Sequence, residues 1–125
     1  MAYEIGYEER GDYLYVRMSG DEAYEDALRF WKGLKKVAEK KGYTRFLIVD
    51  KVKGVLPTIQ VHNLSKEVAS LFRGMAVAYV DPKDDTFEAN RYGETVVSNR
   101  GVNARVFRTE AEAVKWLSHQ QKAKG

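Results

Sequence analysis

The 125-residue sequence contains no cysteine, only two prolines and only two histidines. Without cysteine the chain can form no disulfide bond, thiol nucleophile or cysteine-ligated zinc site, and this composition suits a reducing compartment. The histidines, His62 and His119, stand without a partnering serine or cysteine nucleophile signature. The sequence therefore predicts no catalytic residue, and we expect no cofactor.

Long apolar runs are also absent. No stretch approaches the roughly 20 apolar residues that cross a bilayer. Residues 1–10 have neither the basic nor the apolar region of a secretory signal. We therefore expect a cytoplasmic protein without a membrane span.

The chain has little excess of either charge. It carries 21 basic and 18 acidic residues, a net charge of +3, and acids are interleaved with bases nearly everywhere. Nucleic-acid binders instead cluster their basic residues on one face. Nucleic acid is therefore not an expected partner.

Two short segments near the amino terminus alternate apolar and polar residues with a period of two, the pattern of half-buried strands. They span residues 3–8 and 13–18, and Gly11 with Asp12 between them predicts a tight turn. We therefore expect an antiparallel hairpin that buries one face.

Apolar residues spaced three and four apart predict four helices. The first covers residues 21–41, the second follows an N-cap at Thr58, the third follows an N-cap at Thr86, and the fourth covers residues 110–120. The fourth has the clearest start, because Thr109 is followed three residues later by a glutamate, which is the spacing of a capping box.

Three further strands separate these helices. Residues 45–50 and 75–80 are apolar at both parities, as in central strands covered on both faces, and residues 102–107 alternate like an edge strand. Right-handed crossovers make the last four strands parallel. The predicted fold class is α/β, ordered ββαβαβαβα: one domain over residues 1–125, with a five-stranded mixed sheet, its first strand antiparallel, packed with four helices.

This order and several local phrases resemble the STAS-type, SpoIIAA-like family, in particular its small stand-alone bacterial branch. The phrases lie in residues 13–20, 72–81, 99–107 and 112–117. The resemblance covers nearly the whole chain and implies a non-enzymatic regulatory or ligand-binding module that binds a protein partner, a nucleotide or another small ligand. An alternative is a carrier of a small hydrophobic molecule or lipid in a pocket between sheet and helices.

One feature of the sporulation-type members of that family is missing. They present a phosphorylatable serine between the third strand and the second helix. In this chain Thr58 is the only hydroxyl between Asp50 and the predicted second helix. A kinase switch of that type is therefore not predicted.

Aspartates follow three predicted strands, at the sheet edge where open α/β sheets bind ligands. They are Asp21, Asp50 and Asp81, with Lys53 and Thr58 nearby. Converging carboxylates could hold a divalent cation, but aspartates also close strands and turns, and we prefer this second interpretation and predict no metal site. The candidate ligand-binding residues at this edge are Asp50, Lys53, Thr58 and Asp81.

Aromatic side chains on a sheet face form a second candidate. Tyr13, Tyr15 and Phe107 fall opposite the apolar positions of their strands. Three kinds of cover remain open for these rings: a homodimer partner, a hydrophobic ligand, or the last helix with Trp116 and Leu117. Tyr13 and Tyr15 are therefore included among the candidate ligand-binding residues.

Overall fold

The computed structural model describes residues 3–120, which form five strands and four helices in the predicted order. The strands are β1 (Glu4–Arg10), β2 (Tyr13–Asp21), β3 (Arg45–Lys53), β4 (Ala76–Val80) and β5 (Asn103–Phe107). The helices are α1 (Tyr24–Lys41), α2 (Thr58–Phe72), α3 (Asp84–Ser98) and α4 (Glu110–Ser118).

The strands lie side by side in sequence order. Strand β1 pairs antiparallel with β2, and the other neighbouring strands pair in parallel. The predicted five-stranded mixed sheet with an antiparallel first strand is therefore confirmed.

Helices cover both faces of this sheet. On one face α1, α2 and α3 pack over the inward residues of β2, β3 and β4, with Phe46, Ile48 and Phe72 fully or almost fully buried. On the other face α4 places Ala113 and Leu117 against a second, smaller core. Because β3 lies between both cores, its residues are apolar at both parities, as the sequence predicted.

The question of what covers the aromatic face is answered by α4. The ring centroids of Phe107 and Trp116 lie 5.7 Å apart, and the Tyr15 hydroxyl donates a hydrogen bond to Glu110 over 3.1 Å. Tyr15 is buried and Tyr13 half-buried in this cluster. Within the described residues the last helix is thus the cover for this face.

The predicted capping box at α4 is confirmed, whereas two other predicted N-caps are wrong. The Thr109 hydroxyl accepts a hydrogen bond from the Glu112 amide at the start of α4. Helix α2 already begins at Thr58, with Pro57 as its N-cap, and α3 begins two residues before Thr86. The Thr86 hydroxyl instead donates to Asp81, so it acts as a hydrogen-bond donor to a carboxylate rather than as the capping acceptor of a backbone amide.

The two edges of the sheet differ. All seven residues of β1 are exposed, so the prediction of a half-buried first strand is wrong. At the other edge, the outward amide of Val106 in β5 donates to the Glu94 carboxylate over 2.7 Å, and the carbonyl of Ala104 accepts from Ser98. Side chains of α3 therefore cover the β5 edge, a common protection against pairing with another strand.

No helix within residues 3–120 is long and apolar enough to cross a membrane.

Candidate functional site

A cavity of about 110 Å³ lies between the sheet and helices α1, α2 and α3, and we call it the central cavity. Its outer rim is formed by the loop from β3 to α2, where Val55 is exposed. Its walls are mostly apolar, and the main wall residues are Met18, Phe30, Trp31, Val68, Val77 and Val97.

The aromatic wall is held rigidly. Trp31 stacks on Tyr79 with the ring centroids 6.2 Å apart and packs edge-on against Phe30 and Phe72. Rings packed against one another in this way have little freedom to turn into the cavity.

Polar groups lie at one end of this cavity, where β3 and β4 finish. Asp50 lines the cavity there, Asp81 lies behind the lining and shares Asn90 with Asp50, and both aspartates are almost completely buried. The Lys83 ammonium bridges them, at 3.2 Å from Asp50 Oδ1 and 2.9 Å from Asp81 Oδ1. The chain thus supplies its own cation between the two carboxylates, in the place that a metal ion would take.

Asp81 accepts hydrogen bonds from several protein donors. Thr86 and Asn90 both donate to its Oδ2 over 2.6 Å, and the Lys83 amide donates to Oδ1 over 2.9 Å. Burial by itself would raise the pKa of the Asp81 carboxyl, but these hydrogen bonds outweigh it and hold the pKa below its ordinary value. Asp81 is therefore a fixed anion at neutral pH.

Asp50 faces the cavity together with a tyrosine. The Tyr79 hydroxyl donates to Asp50 Oδ2 over 2.8 Å, and Asn90 donates weakly to the same oxygen. Burial first, and the adjacent Asp50 charge second, raise the pKa of Tyr79 well above its ordinary value. The phenol therefore stays protonated and acts only as a hydrogen-bond donor.

A further carboxylate, that of Glu22, lines the same cavity just after β2. It accepts a short hydrogen bond from the Tyr3 hydroxyl, and its own backbone amide donates to the Lys53 carbonyl. Burial, reinforced by the negative charge of Asp50, raises the pKa of Glu22 above its ordinary value, although the bond from Tyr3 opposes this shift. Glu22 is therefore more easily protonated than a glutamate in water.

The predicted site residues are distributed over several places. Asp50 and Asp81 meet at the polar end of the cavity. Lys53 and Thr58 are exposed and make no side-chain bond to the two aspartates, while Tyr13 and Tyr15 lie under α4 on the opposite face of the sheet.

Sequence reasoning missed four polar residues of the site. They are Lys83, Tyr79, Asn90 and Glu22. Lys83 carried a usable signal, because it stands two residues after Asp81, where a turn can fold it back. Glu22 carried a weaker one, next to the aspartate that ends β2.

The site offers hydrogen-bonding groups and charged groups to a ligand. Its lining contains no histidine, and the one lining serine, Ser65, has no adjacent base. Among residues 3–120 no three histidine, cysteine or acidic side chains are placed to hold a metal ion.

The order of elements, the mixed sheet and the helices on both faces define a SpoIIAA-like fold, and comparison with solved structures shows the same fold. An uncharacterized protein of the DUF3478 family from Shewanella loihica PV-4, itself described as SpoIIAA-like, is 20% identical, with a TM-score of 0.57 over 93% of this chain and 94% of that one. The anti-sigma factor antagonist SpoIIAA in its unphosphorylated form is 10% identical, with a TM-score of 0.54 over 95% of this chain and 100% of that one. The protein TM1081 is 19% identical, with a TM-score of 0.54 over 91% of this chain and 88% of that one. Neither a protein-family model nor a curated protein matches the sequence.

Proposed function

We propose that this protein is a non-enzymatic binding module whose ligand is a small, mainly apolar molecule with one hydrogen-bonding head group, held in the central cavity. The observation that carries the proposal is the cavity itself, which has mostly apolar walls and one hydrogen-bonded polar cluster formed by Asp50, Tyr79 and Asn90. Binding sites for small molecules combine these two features.

Binding is favoured over catalysis because the polar groups satisfy one another. Lys83 bridges the two aspartates, and Asp81 is surrounded by donors. A general base must instead be free to take a proton from a substrate. Glu22 has a raised pKa, but its carboxylate already accepts a hydrogen bond from the Tyr3 hydroxyl.

The size of the cavity limits the ligand. An engineered cavity of about 150 Å³ holds benzene, so about 110 Å³ suits an unbranched chain of four carbons. Burying four methylene groups at about 0.8 kcal/mol each corresponds to a dissociation constant in the millimolar range. A tighter ligand would have to extend through the mouth and touch Val55 and Leu56. Such contact would let ligand occupancy change the exposed loop between β3 and α2, and so act on a partner.

The test uses n-butanol and a variant that fills the cavity. Ala89 lines the cavity from α3, and Ala89→Leu would occupy part of the space. The chain has only two tryptophans, so its amide–nitrogen correlation spectrum shows two indole signals, which Trp116→Phe assigns. We expect n-butanol to shift the Trp31 signal in the wild type and to lose at least tenfold in affinity in Ala89→Leu.

The matched control is Ala111→Leu, since Ala111 is exposed on α4. It should bind n-butanol like the wild type. An unmoved Trp31 signal, or equal binding by both leucine variants, would contradict a ligand in the central cavity.

The exposed first strand favours a second candidate function, self-association through β1. Its edge lacks the side-chain cover that α3 gives to β5, and Ile5 and Tyr7 are 36% and 42% exposed. If two copies paired antiparallel about Tyr7, Glu4 of each copy would face Arg10 of the other. Two Glu4–Arg10 pairs would then join the two strands of a homodimer.

Sedimentation velocity tests this candidate with Tyr7→Lys. The substitution would set two like charges directly opposite each other, so we expect a dimer in the wild type and a monomer in the variant. Val114→Lys, at an exposed position of α4, should leave the dimer unchanged. A wild type that stays monomeric up to millimolar concentration would exclude pairing through β1.

A further inference from the structure

A second concave site lies on the far side of β5, between α3 and α4, and we call it the arginine groove. It has a volume of about 510 Å³ and meets the central cavity along residues 104–106 of β5. Its distinguishing residues are Arg91, Arg105, Arg108, Phe87, Phe107 and Trp116. Three guanidinium groups and three aromatic rings thus line one groove.

The arginines are held near these rings. The Arg108 guanidinium carbon lies 4.0 Å from the centre of the Phe87 ring, and that of Arg91 lies 6.0 Å from the same centre. Arg105 is exposed and, within residues 3–120, its guanidinium makes no hydrogen bond or ion pair. Its donors are available to a ligand.

The carboxylates that also line the groove are already engaged. Glu94 accepts the Val106 amide, and Glu112 accepts a hydrogen bond from the Thr109 hydroxyl. Of the three arginines, only Arg108 forms an ion pair with an acidic side chain within residues 3–120, that of Asp84. Because the Asp84 side chain is 95% exposed, this ion pair is weak and is screened by salt. Three arginines against the two glutamates leave the groove lining with one net positive charge, and the hydrogen-bonded glutamates are held in place.

Two kinds of occupant fit poorly. An added peptide strand is disfavoured because Glu94 and Ser98 already take up outward backbone groups of β5. A nucleic-acid strand is disfavoured because exposed acids, Asp85 and Glu88 on α3 and Glu110 on α4, flank the groove along both helices and would repel a long polyanion. A small molecule needs neither the outward edge of β5 nor the length of the two helices, and the volume lies in the range of small-molecule sites.

We propose that the arginine groove binds a small molecule in which a phosphoryl group is joined to a flat ring. Guanidinium groups bind phosphoryl oxygens in pairs through parallel hydrogen bonds, and a phosphoryl dianion offers enough acceptors for more than one arginine. Phe107 and Trp116 supply the apolar surface against which a ring can stack. This site is separate from the one proposed above and does not depend on it.

The experiment titrates phenyl phosphate at neutral pH and follows the two indole signals. We expect the Trp116 signal to shift and the Trp31 signal to stay, whereas n-butanol in the central cavity would move Trp31. Failure of one site is thereby distinguished from failure of the other. Inorganic phosphate, phenol and benzoate serve as partial ligands and should each bind at least tenfold more weakly.

Two variants test the arginines directly. Arg105→Ala and Arg91→Ala should each weaken phenyl phosphate binding about tenfold or more, since each removes charge-assisted hydrogen bonds. Arg17→Ala is the matched control, because Arg17 is exposed on β2, three strands away. The proposal is overturned if the Trp116 signal does not move, if all three arginine variants bind equally, or if benzoate or inorganic phosphate binds as tightly as phenyl phosphate.

Discussion

Replacing Lys83 with methionine is expected to lower the free energy of unfolding by about 3 kcal/mol at neutral pH, which is the cost of removing one partner from a buried ion pair. The Lys83 ammonium lies 2.9 Å from Asp81 and 3.2 Å from Asp50, and both carboxylates are nearly inaccessible to water. Methionine preserves the length of the side chain but leaves two neighbouring anions without their cation. Urea denaturation measures the loss.

The exposed ion pair between Lys41 and Glu9 provides the control. Both side chains are about half exposed, so Lys41→Met should cost less than about 1 kcal/mol. Lowering the pH should also reduce the difference in free energy of unfolding between Lys83→Met and the wild type. The lowered pKa of Asp81 gives the wild type a contribution that is present above the ordinary aspartate pKa and is lost as pH falls through the folded value. A loss that does not change with pH would contradict the role assigned to Lys83.

The sheet was predictable because local signals and burial agreed. Residues 46–49 are apolar at both parities and lie between two cores, and Thr109 starts α4 through the cap that its spacing indicates. The prediction that β1 is half-buried was wrong for a physical reason. Alternation shows that one face of a strand could be buried, but not whether a helix reaches far enough to cover an edge strand. Among residues 3–120, the side chains from the end of α1 that bond to β1 are those of Lys41 and Tyr43. Both donate hydrogen bonds to Glu9.

The candidate site was only partly predictable for the same kind of reason. Strand ends indicate which carboxylates meet, and Asp50 and Asp81 do meet. At the end of β2 the carboxylate that lines the cavity is Glu22 rather than Asp21. In an extended chain, a shift of one residue moves the side chain to the other face of the sheet. Sequence patterns do not fix the end of a strand to within one residue. The return of Lys83 to both aspartates depends on the loop after β4, which has no periodic signal.

Phe72→Ala is expected to have the largest effect of any single truncation named here, a loss of about 4 kcal/mol in the free energy of unfolding. Phe72 is fully buried, and its ring packs edge-on against Trp31 and Phe46 at centroid distances of 5.5 and 5.3 Å. Alanine removes the ring from both contacts and leaves a void, because the surrounding strands and helices are too constrained to close it.

The same substitution connects stability with the central cavity. Trp31 lies between Phe72 and the cavity, so loss of Phe72 frees the indole to move away from the cavity. Ile59→Ala is the control on the same helix, since Ile59 is 65% exposed and its truncation should change stability by less than about 0.5 kcal/mol. If Phe72→Ala proves too unstable to study, Phe72→Leu should show a smaller loss in the same direction. Equal stabilities of Phe72→Ala and Ile59→Ala would mean that Phe72 does not hold the aromatic wall in place.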